Sequence, residues 1–143
     1  MRVVIDTNVL IAALTKPRGS AGRVVRAWRE GEIEVVTSDA TVKEAELVIN
    51  ATWLARLSSQ REVEMLLAEL RTRAVRVRGR AVSNIRLKDQ GDLRLVEAAL
   101  AGDADYLVTA DRELLLQQGY GSTRFVTPAE LLKTMRGDGV IEG

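Results

Sequence analysis

Short apolar runs alternate along the chain with longer stretches in which apolar residues recur at helical spacing. Val3-Val4-Ile5 is a brief continuous run of the kind a buried strand shows, and Ile33 to Thr37, Tyr106 to Thr109 and Arg124-Phe125-Val126 read as further strands. Val75 and Val77 alternate with Arg76 and Arg78, the pattern of a half-buried strand. Between these lie helical patterns: Val9 to Leu14, closed by the turn Lys16-Pro17-Arg18-Gly19, then a helix capped by Ser20 or Gly22 that carries Val24, Val25 and Trp28 and stops at Gly31. Ser38 or Asp39 caps a helix with Val42, Ala45, Leu47, Val48 and Ile49. A helical pair follows, with Trp53, Leu54 and Leu57 on one face of the first member and Val63, Leu66, Leu67 and Leu70 along Gln60 to Thr72. Leu93, Val96, Ala99 and Leu100 mark another helix, Glu113 to Gln117 a short one, and Thr127-Pro128 opens the last, through Leu131 and Leu132. Strands separated by helices need crossover connections. The fold class expected is therefore α/β, with a mainly parallel five-stranded sheet and helices on both faces.

The chain has 143 residues, enough for one core without staples, and neither a linker nor a repeat divides it. One domain is expected over residues 1–136, with a frayed tail over 137–143. Cysteine and histidine are both absent. That excludes disulfides, thiolate or imidazole metal sites and the serine-histidine-acid triad, so any chemistry rests on carboxylates, lysines, hydroxyls or a bound ion. No apolar run has the length of a signal peptide core or a membrane span, and the expected setting is cytoplasmic.

Net charge is only +1, so indiscriminate binding to nucleic acid is not expected. The distribution is uneven, however. From Arg71 to Lys88 the charges are Arg71, Arg73, Arg76, Arg78, Arg80, Arg86 and Lys88, with no acid among them. Arg76, Arg78, Arg80, Arg86 and Lys88 are candidates for contacts to an RNA backbone; the alternative is a solvated strand face followed by a loop.

In open α/β sheets the active groups gather at the carboxyl ends of the strands. Asp6 follows the first strand, Asp111 comes just after Tyr106 to Thr109, Asp92 stands at the start of the helix before that strand, and Glu44 lies about one and a half turns into the helix after the second strand. Carboxylates brought together repel one another unless a cation compensates, and an all-oxygen donor set suits Mg²⁺ or Mn²⁺. Taken singly, Asp6, Asp92 and Asp111 are also ordinary helix caps, and Glu44 an ordinary solvated helix residue.

Val4-Ile5-Asp6-Thr7-Asn8-Val9-Leu10, Ser38 followed by Glu44, Asp92 seven residues before Ala99, and Ala104-Asp105-Tyr106-Leu107-Val108-Thr109-Ala110-Asp111 together resemble the PIN-domain family. The resemblance runs from about Arg2 to Leu132 and is closest to the VapC-like toxins of toxin–antitoxin systems. It implies a three-layer sandwich and a Mg²⁺- or Mn²⁺-dependent endoribonuclease that acts on RNA, is a homodimer and is blocked by a protein antitoxin. It makes Asp6, Glu44, Asp92 and Asp111 the catalytic, metal-holding acids, with Thr7, Asn8 and Thr109 supporting them. Asp89 and Asp105 are less firmly placed by it. Two positions depart from the family pattern: Ala110 stands where relatives often have glycine, and Gly91 where many have a further acid.

Competing readings are a PIN-like module that binds RNA or protein without cutting, a housekeeping RNA-processing nuclease with the same four acids, and a phosphotransfer domain with Asp6 as acceptor. The third lacks the second aspartate that a haloacid-dehalogenase-like site needs two residues on, where this chain has Asn8. Retention of all four acids argues against the first.

Overall fold

The structure is a computed structural model and describes residues 1–51, 59–78 and 80–137. Its elements run β1 (Arg2–Ile5), α1 (Thr7–Thr15), α2 (Ser20–Arg29), β2 (Glu34–Thr37), α3 (Asp39–Ala51), α4 (Gln60–Thr72), β3 (Val75–Arg76), α5 (Gln90–Ala101), β4 (Tyr106–Val108), α6 (Arg112–Gln117), β5 (Gly119–Tyr120), β6 (Thr123–Val126) and α7 (Pro128–Met135). The expected helix carrying Trp53, Leu54 and Leu57 lies outside the described residues, as does the tail from residue 138.

The sheet order is β3-β2-β1-β4-β6-β5. Every pairing is parallel except β5 with β6. The expected five strands are all present, and β5 makes a sixth. It is a two-residue antiparallel edge whose Gly119 and Tyr120 pair with Arg124 and Thr123. A run of two residues has no periodicity to read, and only the turn between β5 and β6 brings it onto the edge.

Alternate residues of the strands serve opposite faces, and so the sheet has two cores. Val3, Ile5, Val35, Val108 and Val126 pack with side chains of α1, α2, α3, α4 and α7, while Val4, Val36, Leu107 and Phe125 pack with α5 and with Leu114 of α6. Helices therefore cover both faces, as the continuous apolar strands required. Leu47 departs from its expected helical pattern: it is 67% exposed, because α3 turns Val42, Ala45 and Ile49 inward and leaves Leu47 on the outer side. Ser38, not Asp39, caps α3, its Oγ accepting the Thr41 amide at 3.3 Å. Gly19 stands at the cap of α2 in place of Ser20 or Gly22. Among the described residues no helix is long and apolar enough to cross a membrane.

The central strands β1 and β4 lie side by side with Ile5 opposite Val108, so their carboxyl ends finish together. Asp6 comes directly after one of these ends and Thr109 directly after the other. Both residues are buried. The Asp6 amide donates to the Val108 carbonyl at 3.0 Å and the Thr109 amide to Val126 at 2.9 Å, so the ladder itself fixes the backbone from which the site is built.

Candidate metal centre

Asp6 ends β1 and caps α1, its Oδ1 accepting the Asn8 amide at 3.3 Å. Asp111 caps α6, with one oxygen accepting the amides of Glu113 at 2.8 Å and Leu114 at 3.3 Å. Capping and site-building are compatible, because each cap uses one carboxylate oxygen. Thr109 links the two acids: its hydroxyl donates to Asp6 Oδ2 at 2.8 Å and accepts the Asp111 amide at 2.9 Å.

Asp92 is not a cap. Asp89 caps α5, accepting the Gly91 amide at 2.7 Å, and Asp92 sits in the first helical turn with its carboxyl buried. Its Oδ2 is wholly buried and, among the described residues, has no hydrogen-bond partner for the ionised carboxylate. Burial, followed by the charges of Asp111, Asp6 and Asp89 and by the hydrogen bond to the Asp111 carboxyl that only a protonated Asp92 can donate, pushes the Asp92 carboxyl up to about 7. Burial likewise raises Asp6, partly opposed by the Thr109 and Asn8 hydrogen bonds. Glu44 is raised by burial and by the charges of Asp89 and Asp6.

Asp6, Asp92 and Asp111 thus lie within one another's electrostatic reach, Glu44 joins them through Asp6, and Asp89, which acts on Asp6, Glu44 and Asp92 alike, is a fifth acid among them. Asp89 was the hardest to place from sequence, because a capping aspartate looks the same whether or not other carboxylates surround it. Glu44 meets the others over Gly91. A Cβ at that glycine would lie 2.5 Å and 2.7 Å from the two Glu44 oxygens and 3.0 Å from Asp89 Oδ1. Of the supporting residues, Thr109 bonds both acids through its side chain and Asn8 touches Asp6 through its backbone alone; Thr7 is buried in the first turn of α1. Asp105 faces elsewhere, accepting the Arg2 amide at 2.8 Å.

Among the described residues no three carboxylates form a finished ion cage. The fit to a cation rests instead on the partnerless oxygen of Asp92, buried where three other carboxylates crowd it. Such an oxygen costs free energy until a proton or a cation satisfies it, and an all-oxygen set selects a hard ion.

The basic stretch divides into two parts. Arg71 pairs with Glu46 at 3.0 Å, Arg73 with Glu69 at 3.4 Å while lying 5.7 Å from the centre of the Trp28 ring, and Arg76 with Asp39. These three tie α4 and β3 to neighbouring helices. Arg78, Arg80, Arg86 and Lys88 make no ion pair among the described residues.

Thr109→Val should keep the fold but release Asp6 and leave the Asp111 amide unbonded. Mn²⁺ affinity measured by calorimetry should fall about 10–100-fold, the usual cost of losing a group that orients a ligand. Thr109→Ser, which keeps the hydroxyl, should recover most of that affinity. Equal affinities in Thr109→Val and the parent would remove Thr109 from the site.

An uncharacterized protein of Methanocaldococcus jannaschii is 27% identical to this chain over 116 residues, which cover 80% of the chain and 74% of that protein. A family model described as PIN domain matches residues 2–113, which span Asp6, Glu44, Asp89, Asp92 and Asp111. The parallel sheet and the carboxylates at its carboxyl edge agree with that match, and the chain belongs to the PIN-domain family, whose members are generally nucleases that typically use divalent metal ions.

Proposed function

We propose that this protein is a Mg²⁺- or Mn²⁺-dependent endoribonuclease, with Asp6, Glu44, Asp92 and Asp111 holding the metal, and that it is the toxin of a toxin–antitoxin pair. The observation that carries the nuclease reading is the buried, partnerless Asp92 oxygen among like charges at the carboxyl edge of the sheet. A bound ion there lowers the pKa of water and offsets the charge that develops on a phosphate. Thr109 keeps Asp6 and Asp111 in register with each other. With no histidine in the chain, a carboxylate is the base that this cluster offers for the proton of the attacking water. Glu44 is half-buried, accepts no hydrogen bond among the described residues and has a raised proton affinity, which fits it for that step.

The toxin role rests on the VapC-like motif order from Val4 to Asp111. It carries with it a protein antitoxin that covers the site, a homodimer and a cytoplasmic setting. A neighbouring small antitoxin gene would support it against the RNA-processing alternative.

The test is cleavage of labelled single-stranded RNAs by purified protein with Mg²⁺, with Mn²⁺ and with EDTA. Cutting is expected with either metal and none with EDTA. The metal at about 100 times its dissociation constant should also stabilise the fold by about 2.7 kcal/mol, read as a rise in melting temperature that EDTA reverses. A folded protein that neither shifts with metal nor cuts RNA would favour the binding-module reading.

A further inference from the structure

Resting on the nuclease reading, a second feature of the same edge assigns part of the substrate path. Residues 77, 78 and 80–89 have no regular structure, yet three bonds anchor the stretch from Arg80 onward. The Arg80 amide donates to the Glu97 carbonyl at 3.4 Å, the Ser83 amide to the Tyr120 hydroxyl at 3.1 Å, and the Lys88 amide to the Glu113 carboxylate at 3.0 Å. Val82, Ile85 and Leu87 lie against the core beneath α5. The last anchor sets Lys88 between two acids of the site, one residue before Asp89 and bonded to the residue two beyond Asp111.

Between this strap and the helices lies a cleft of about 430 Å³ lined by Ile85, Arg86, Leu87, Lys88, Leu93 and Glu113. Its size falls in the range of small-ligand clefts, roughly 300–1,000 Å³. The floor is apolar, and Arg86 and Lys88, which make no ion pair among the described residues, stand at it. The single acid of the lining, Glu113, is engaged by the Lys88 amide. An apolar floor with cations beside a carboxylate centre matches one nucleotide of a single strand, whose base takes apolar contact while its phosphates need positive charge. We propose that this cleft seats the nucleotide adjoining the scissile phosphate, with Arg86 and Lys88 on its phosphates and Ile85, Leu87 and Leu93 under its base. Arg71, Arg73 and Arg76 play no part in it, being committed to ion pairs.

The test is binding of a short fluorescein-labelled single-stranded RNA in EDTA, followed by anisotropy over a range of salt, for the parent, Arg86→Ala/Lys88→Ala and a control pair on the opposite face, Arg23→Ala/Lys133→Ala. The site pair should bind about tenfold more weakly, and its slope of log K against log salt should be shallower by about 1.4, as two lost phosphate contacts give at roughly 0.7 each. The control pair should match the parent. Circular dichroism and melting of each variant establish that it is folded. If the site pair is folded and binds with the parent's affinity and slope, or if both pairs lose the same amount, the cleft is not the seat, and a parent that still cuts with metal leaves the nuclease intact. A parent that neither binds nor cuts RNA overturns both.

Discussion

An Asp92→Asn variant should lose RNA cleavage by on the order of 10²–10³-fold or more, the scale of removing a principal electrostatic contact at a reacting group, and in the absence of metal it should melt at a higher temperature than the parent. The two effects have one cause. In the folded protein the Asp92 carboxyl is raised from 3.8 to about 7, by burial first and by Asp111, Asp6 and Asp89 after it. The sign follows from proton counting. Below pH 4 Asp92 is protonated in both states and costs nothing. Between pH 4 and 7 the unfolded chain has released this proton while the folded protein still holds it, so stability falls as pH rises, and above 7 the loss is complete. For this one group the loss is about 1–3 kcal/mol, allowing for relaxation of the cluster.

An amide at position 92 never ionises, and its NH₂ can donate to Asp111. Chemical denaturation in EDTA from pH 4 to pH 8 should therefore show a fall for the parent and a flatter line for Asp92→Asn, with Mn²⁺ flattening the parent's curve by supplying the cation. Asp6→Asn provides the contrast. Cleavage should again be lost, but the gain in stability should be small or absent, because Asp6 already accepts from Thr109 and Asn8 and an amide keeps only one oxygen. If the parent's stability is flat over this range, Asp92 is not under the strain assigned to it.

Which parts of this site were legible in the sequence follows from how far apart its causes lie. Asp6 and Asp111 could be placed because one directly follows and the other lies three residues beyond a strand whose apolar run is plain, Val3-Val4-Ile5 and Tyr106-Leu107-Val108, and a parallel pair brings such ends together. Thr109 was placed only by the PIN-domain resemblance, since a hydroxyl at the end of a strand has no pattern of its own to mark it. Asp92 was placed to within a turn; the real cap is Asp89, three residues earlier, and both positions satisfy a capping pattern equally well. The division of the basic stretch was not legible. The acids that take Arg71 and Arg76, Glu46 and Asp39, lie 25 and 37 residues away, and only the packing of α3 beside α4 and β3 brings them close. The edge strand β5 was missed because two residues carry no pattern.

Gly91 holds the largest surprise of this kind, and a substitution there should separate stability from activity. The PIN-domain resemblance points to a further acid at this position in many relatives, which would make glycine a weakened site. The structure shows another reason for glycine: the Glu44 carboxylate stands where a Cβ would be, its oxygens 2.5 Å and 2.7 Å away. What blocks the space is the end of a flexible side chain, so Gly91→Ala should fold by moving Glu44 aside. Position 91 lies in the first turn of α5, where alanine is worth up to about 1 kcal/mol over glycine. The variant should accordingly be as stable as the parent or slightly more so, while cleavage falls about tenfold or more, because a displacement of about 1 Å of a catalytic group can cost 10²-fold. Gly91→Asp adds a charge beside Asp89 to the same collision and should be less stable than Gly91→Ala in EDTA, part of the difference being recovered at high Mn²⁺. A Gly91→Ala protein that cuts at the parent's rate would mean that Glu44 does its work from a position other than the one it occupies over this glycine. Gly91→Ala combined with Glu44→Gln tells the two apart: if the glycine acts through Glu44, the double variant is no slower than Glu44→Gln alone.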